Sequence, residues 1–216
     1  MQHALGLNIP QTLSEMCDPR TMAVLVYDMQ IGIVQQIKNG SEIAGKVAEV
    51  ISAAREGGFR VFFTRYMTLP KEAAGVAQLR MAMAWQRVAS PDLVQSAFRP
   101  DSPGFQLIPQ CAAHQTEAVF DRITMSAFEG NPLTIALRDC GIVCVAIVGI
   151  ALEVGIEPSV RHAADLGFIP VIVTDACGAG HAEAAERSLE SLKFAGDAVF
   201  TDVAKISALF RRRQSR

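Results

Sequence analysis

The chain has 216 residues, half of them hydrophobic, which suffices to bury a full core as one domain and argues against two. Twenty basic residues against 22 acidic ones give a net charge of −2, so there is no electrostatic footprint for nucleic acid. No apolar run approaches the roughly 20 residues needed to span a bilayer, and the first twenty residues lack the apolar core of a signal peptide, so a soluble protein with no membrane partner is expected. The five cysteines include no C-x-x-C pair, and their odd number fits a reduced, cytoplasmic setting.

Residues 1–20 read as an arm with little periodicity. The first strand is TMAVLVYDM, residues 21–29, with Asp28 at its carboxyl end. A carboxylate there is costly to bury unless paired, so Asp28 is either a functional group at the sheet rim or half of a structural ion pair. Ser41 offers a cap for a helix in which Ile43, Val47, Val50, Ile51 and Ala54 share a face, and Gly57-Gly58 ends it. RVFFTR, residues 60–65, is the second strand, and a right-handed crossover sets it beside the first and parallel to it. Residues 66–117 are the least readable. Within them QLRMAMAWQRV, residues 78–88, has an amphipathic pattern with Leu79, Met83 and Val88 inward. Trp85, the only tryptophan, is either a packing or subunit-contact residue or the wall of a pocket. Residues 100–110 carry turn signals, and a short strand over 118–121 delivers Arg122.

Asn131-Pro132 is a helix start, Leu133, Ala136, Leu137 and Cys140 fall on one face, and Gly141 fits the stop. Residues 142–148 form an apolar run expected of a central strand with helices on both faces. The next helix, within 153–166, tolerates Pro158 only in its first turn and so begins near Gly155. The backbone N–H groups of residues 151–156 are then expected to point into a cleft at the strand end. A strand over 168–175, a helix over 182–194 and a strand over 198–201 follow. Asp202 caps a final helix with Val203, Ile206 and Phe210 on one face. Arg211, Arg212, Arg213 and Arg216 form a basic tail over 211–216, expected to be solvated. This order of elements describes a doubly wound, three-layer α/β/α sandwich over residues 21–210, in which chemistry collects where strand ends face helix starts.

There is no G-x-G-x-x-G, no Walker A sequence and no G-x-S-x-G elbow. The four histidines lack metal-ligand spacing, so neither a cofactor nor a metal is expected. Four segments do carry a signal: YDMQIGIV (27–34), R-x-x-x-S-A-F (122–128), GIALEVGIEPSVRHA (149–163) and VTDACGAG (173–180). In order and spacing they resemble the isochorismatase-like, or cysteine hydrolase, superfamily over residues 20–203. The resemblance implies a Rossmann-like domain with a mostly parallel six-stranded sheet, assembled as a homodimer or homotetramer and acting on a small-molecule substrate.

Amidases of that superfamily use an Asp–Lys–Cys triad and a cis peptide before the nucleophile. By the resemblance Asp28 takes the Asp position, Arg122 stands where the family has Lys, and Gly155 occupies the place of the nucleophile. Ala151-Leu152 stands at the cis-peptide site and, with Tyr66 and Trp85, is a candidate for substrate binding. Glycine has no side chain, so covalent thiol catalysis at 155 is excluded. Isochorismatases proper also resemble this pattern, cleaving a vinyl ether by protonation from the Asp and addition of water. On that reading Gly155 leaves room for a bulky substrate. Arg122 is expected to hold Asp28 ionised and to bind an anionic substrate group, which makes Asp28 a general base for water as readily as an acid. Two alternatives stand beside this hydrolase: a ligand-binding or assembly protein on a retired scaffold, and an amide hydrolase using a relocated Cys177 or Cys111.

Overall fold

The computed structural model of the protein describes residues 1–212. The chain opens with an antiparallel hairpin, β1 (Gln2–Ala4) and β2 (Leu7–Ile9), and a single helical turn, α1 (Leu13–Met16). A capping box fixes that turn, because Thr12 accepts from the Glu15 N–H while the Glu15 carboxylate reaches back to the Thr12 N–H. Order in the arm thus comes from hydrogen bonds rather than from apolar periodicity.

Six strands follow: β3 (Met22–Tyr27), β4 (Arg60–Tyr66), β5 (Ala118–Arg122), β6 (Cys144–Ile150), β7 (Ile169–Gly178) and β8 (Val199–Thr201). They form one parallel sheet in the order β5-β4-β3-β6-β7-β8. The helices are α2 (Ile31–Val34), α3 (Gly40–Glu56), α4 (Val76–Gln86), α5 (Leu133–Asp139), α6 (Glu157–Asp165), α7 (Ala182–Ala195) and α8 (Val203–Arg212). Every residue of β3 and β6 is buried. Strand alternation divides β3 between two cores: Met22, Val24 and Val26 join α3 and α8, whereas Ala23, Leu25 and Tyr27 join α5, α6 and α7. The six-stranded α/β/α architecture expected from the sequence is therefore the one observed. From β3 the chain builds outward through β4 and β5, then returns to build outward the other way from β6. The switch point lies between β3 and β6, and a crevice opens beyond their carboxyl ends.

Several boundaries differ from the sequence reading. Strand β6 starts at Cys144, not Ile142, because the helix stop takes that residue: the Ile142 N–H donates to Leu137 O across Gly141, whose φ is +70°. Strand β7 runs on to Gly178. Helix α3 begins at Gly40, ahead of Ser41. Helix α5 starts at Leu133 with Pro132 in the cap position, one residue later than expected, although Asn131 Oδ1 still accepts from the Leu133 N–H at 2.9 Å; Asp202 caps α8 through the Lys205 N–H at 2.8 Å. Helix α4 has no buried residue: Leu79 and Met83 are only half-buried, as is Val88 beyond its end, and the helix lies against residues 67–74 and 94–96, past the carboxyl end of β4. Arg211 and Arg212 belong to the last turn of α8, where Arg211 pairs with Glu56 at 2.9 Å, while Arg213 and Arg216 lie outside the described residues. Among the described residues no helix is long and apolar enough to cross a membrane.

Candidate active site

Asp28 follows directly on β3 and turns left-handed, with φ +48°. For a residue with a Cβ that conformation costs about 1–2 kcal/mol, so the surroundings must hold it. They do so on both sides: the Asp28 N–H donates to Thr64 O at 3.2 Å, and Asp28 O accepts from the Gln30 N–H at 2.7 Å. Gln30, fully buried, ties this turn to β4 and to the excursion after it. Its Nε2 donates to Tyr66 O and Phe105 O, each at 3.0 Å, and its Oε1 accepts from the Tyr66 N–H at 2.7 Å.

The Asp28 carboxylate accepts from Arg122 Nη2 at 2.5 Å and from Thr64 Oγ1 at 3.0 Å. Arg122 ends β5 with both terminal nitrogens engaged: the other one donates to Thr124 O, its guanidinium carbon lies 4.3 Å from the Tyr27 ring centre and 5.9 Å from that of Tyr66, and only its buried Nε has no hydrogen-bond partner among the described residues. Its side chain is fully buried. Arg122 is therefore no binder of a substrate anion; it is the buried partner of Asp28. Nor does it set the direction of the Asp28 pKa. Burial is the largest influence and pushes the carboxyl above its ordinary value, against the opposing pull of Arg122 and Thr64.

At the end of β6 the cis peptide is Ile150–Ala151, one bond before the expected Ala151–Leu152. The chain then makes a π-helical turn, Leu152–Ile156, before α6 begins with Pro158 in its first turn. In that turn Ala151 O accepts from the N–H groups of Val154, Gly155 and Ile156 at 3.3, 3.1 and 3.1 Å. These donors close on their own backbone, contrary to the expectation that they face a cleft. Leu152 points into the core between α5, α6 and α7 and is 2% exposed, so it is no wall of a binding site.

Gly155 corrects a second expectation. The space beside it is not left open for substrate, because the Tyr27 phenol fills it. A Cβ at position 155 would lie 2.8 Å from Tyr27 Cε1, with Cζ and the hydroxyl oxygen closer still. The phenol is fixed there, donating to Met125 O at 2.5 Å. Ser159 holds the glycine from behind, donating to Gly155 O at 2.6 Å and accepting from the Ala127 N–H at 2.9 Å.

An open cleft of about 510 Å³, within the usual size of a small-molecule site, lies over these strand ends. Tyr27 and Asp28 reach it from β3, Tyr66 from β4, Ala151 and Val154 from the end of β6, and Trp85 from α4. Of the residues expected from sequence, Asp28, Tyr66, Trp85 and Ala151 thus meet at one cleft, while Arg122, Leu152 and Gly155 lie behind its surface. Trp85 is 56% exposed and does not plug it.

Two residues escaped the sequence reading. Tyr27 carried one signal, an aromatic interruption in an aliphatic strand. Arg87 carried none. It caps α4 in a left-handed conformation, φ +54°, on the cleft wall, and no ion pair engages it among the described residues.

Cys177 and Cys111 are buried away from the cleft lining, their thiols bonded to Ile147 O at 3.6 Å and Ala44 O at 3.7 Å. Burial pushes both up to about 12, and Cys144 to about 11. At neutral pH they are neutral thiols, poor nucleophiles. Among the described residues no group of three His, Cys, Asp or Glu side chains is placed to hold a metal ion.

The isochorismatase domain model matches residues 22–205. An uncharacterized isochorismatase family protein of Escherichia coli O157:H7, YecD, is 25% identical over 185 residues, covering 80% of this chain and 88% of that protein. Among solved structures, a cysteine hydrolase from Pseudomonas syringae pv. phaseolicola 1448A shares the fold with a TM-score of 0.79 at 18% identity, over 92% of this chain and 96% of that one. N-carbamoylsarcosine amidase from Thermoplasma acidophilum follows with a TM-score of 0.69 at 17% identity, over 85% and 96%. With a domain match spanning the whole sheet, the chain belongs to the isochorismatase family.

Proposed function

We propose that the protein is a hydrolase of a small anionic molecule that works without a covalent cysteine, with Asp28 moving the proton and solvent completing the cleavage. The observation that carries this reading is Asp28 itself, held left-handed at the floor of an open cleft with its carboxyl raised by burial. Strained backbone concentrates at working sites, and a raised carboxyl suits proton donation. Cleavage of a C–O bond of the vinyl-ether type is therefore preferred: Asp28 protonates the vinyl carbon, water adds to the resulting oxocarbenium carbon, and its released proton returns to Asp28. The hemiketal so formed collapses, breaking the ether C–O bond as the new hydroxyl becomes a carbonyl and the ether oxygen, taking up a proton, leaves as an alcohol. Arg87, which lines the same cleft and makes no ion pair among the described residues, is the group suited to a substrate carboxylate.

The name of the Thermoplasma neighbour points instead to C–N chemistry. Here position 155 has no side chain and the buried thiols face elsewhere, so thiol-based amide cleavage is the weaker reading. A ligand-binding protein is the second one. It is favoured by the two partners, Arg122 and Thr64, that occupy both Asp28 oxygens.

Screening the purified protein against carboxylate-bearing vinyl ethers, carboxamides, ureides and lactams tests the proposal, with Asp28→Asn as control. Turnover of a vinyl ether is expected, with kcat/KM reduced about 10²- to 10⁴-fold in the folded variant. Equal activity in Asp28→Asn overturns the proposal, and binding without turnover across the panel supports the second reading.

A further inference from the structure

Tyr27 is 3% exposed yet forms part of the cleft floor. Three contacts fix it: its hydroxyl donates to Met125 O at 2.5 Å, its ring lies 4.3 Å from the Arg122 guanidinium carbon, and its edge fills the space beside Gly155. Its hydroxyl is no proton carrier at neutral pH, since burial holds its pKa well above the ordinary 10. What the phenol does is occupy volume. That volume is where any side chain at position 155 would have to begin, between Asp28 and the backbone turn that follows β6.

We propose that Tyr27 sets the chemistry of this site by filling the place of a nucleophile's side chain, so that Tyr27 and Gly155 are a matched pair and a reacting group is confined to the Asp28 side of the cleft. A glycine alone would leave a hole beside Asp28, into which water or substrate could settle. A tyrosine alone would collide with any Cβ at 155. Together they give a closed floor that excludes covalent attack from this position. The consequence for chemistry rests on the reading of Asp28 as the proton-handling group; the steric match does not.

A double-mutant cycle on thermal stability tests the match without any substrate. Tyr27→Leu removes Cε1, Cζ and the hydroxyl, the three atoms nearest a Cβ at 155, while keeping an apolar side chain in β3. In the native background Gly155→Ala is expected to lower the Tm by roughly 5–10 °C, as overpacking of a core does. In the Tyr27→Leu background the same substitution is expected to shift it by less than about 2 °C. If Gly155→Ala fails to fold by itself but folds with Tyr27→Leu, the coupling is shown outright. An equal loss in both backgrounds, or failure of the double variant where Tyr27→Leu folds, overturns the match.

The second measurement is chemical. Tyr27→Leu with Gly155→Cys is expected to take up one more equivalent of iodoacetamide than Tyr27→Leu alone, because the new thiol opens onto the cleft. No extra adduct in the folded protein overturns the claim that Tyr27 is what stands between position 155 and the cleft. Neither readout depends on turnover. Coupling with no activity in any screen would therefore sink the hydrolase reading and leave the Tyr27–Gly155 match standing.

Discussion

Tyr27, Asp28 and the turn after β6 hang from strands whose every residue is buried, whereas Trp85 and Arg87, on the facing wall, hang from a helix with no buried residue. The first wall is part of the core, and hydrogen bonds to β4 and β5 hold Asp28 at the end of β3. The second is fastened through the Gln86 side-chain amide, which donates to Gln95 O and accepts from the Gln95 N–H, each at 2.9 Å, and through loop contacts. Segments with few buried contacts open at lower free energy than the core. The groups that must keep their geometry through a reaction thus sit on the rigid side, and those that must admit a substrate sit on the adaptable one.

The largest effect that would sharpen this contrast is on the rigid wall. At a pH above the raised pKa of Asp28, where the pair is ionic, Arg122→Met leaves the buried carboxylate without a counter-charge, and breaking such a pair costs about 3–5 kcal/mol. Urea denaturation checks it, and the combined Asp28→Asn, Arg122→Met protein should recover part of the loss. A loss below about 1 kcal/mol would mean that this wall is no more tightly built than the other.

The pH profile comes next. Around Asp28 the charged or titratable neighbours are Arg122, Tyr27 and Tyr66, and burial holds both tyrosines above 10, so Asp28 is the group that titrates in the acid range. As a proton donor it works in its protonated form. On a vinyl-ether substrate kcat/KM should fall as pH rises through its raised pKa, approaching tenfold per unit. A rise over the same range would make Asp28 a base. The native state also keeps this proton to higher pH than the unfolded chain does. The residue's contribution to stability is therefore present at acid pH and declines as pH rises through the folded value.

The smallest effects on stability are expected on the adaptable wall. Arg87→Ala should raise KM roughly tenfold for a carboxylate substrate with kcat little changed, and both Arg87→Ala and Trp85→Ala should alter stability by less than about 1 kcal/mol. Steady-state kinetics and thermal melts measure both. A large stability loss at either position would show that α4 is packed more firmly than its exposure implies.

The two walls were also unequally legible in the sequence. The rigid one follows from local rules: unbroken apolar runs mark β3 and β6, and a carboxylate at a strand end marks Asp28. The resemblance to the family adds Arg122 and Gly155 to that set. What stayed hidden depends on contacts between distant segments. Nothing near Gly155 says that Tyr27 will fill its side-chain space, and nothing near Leu152 says that a π-helical turn will rotate it inward. Helix α4 misled for another reason. VAQLRMAMAWQ is apolar around most of its circumference, so no period selects a face, and its lack of burial emerges only when the helix proves to lie past the carboxyl end of β4.

The central claim is that no cysteine becomes covalently attached to substrate. Intact-mass spectrometry of the protein quenched during turnover of a substrate found by screening tests it most directly. The account predicts the unmodified mass at every time point while product accumulates. A transient increase equal to an acyl or alkyl fragment of the substrate, mapped to any of the five cysteines, would contradict it.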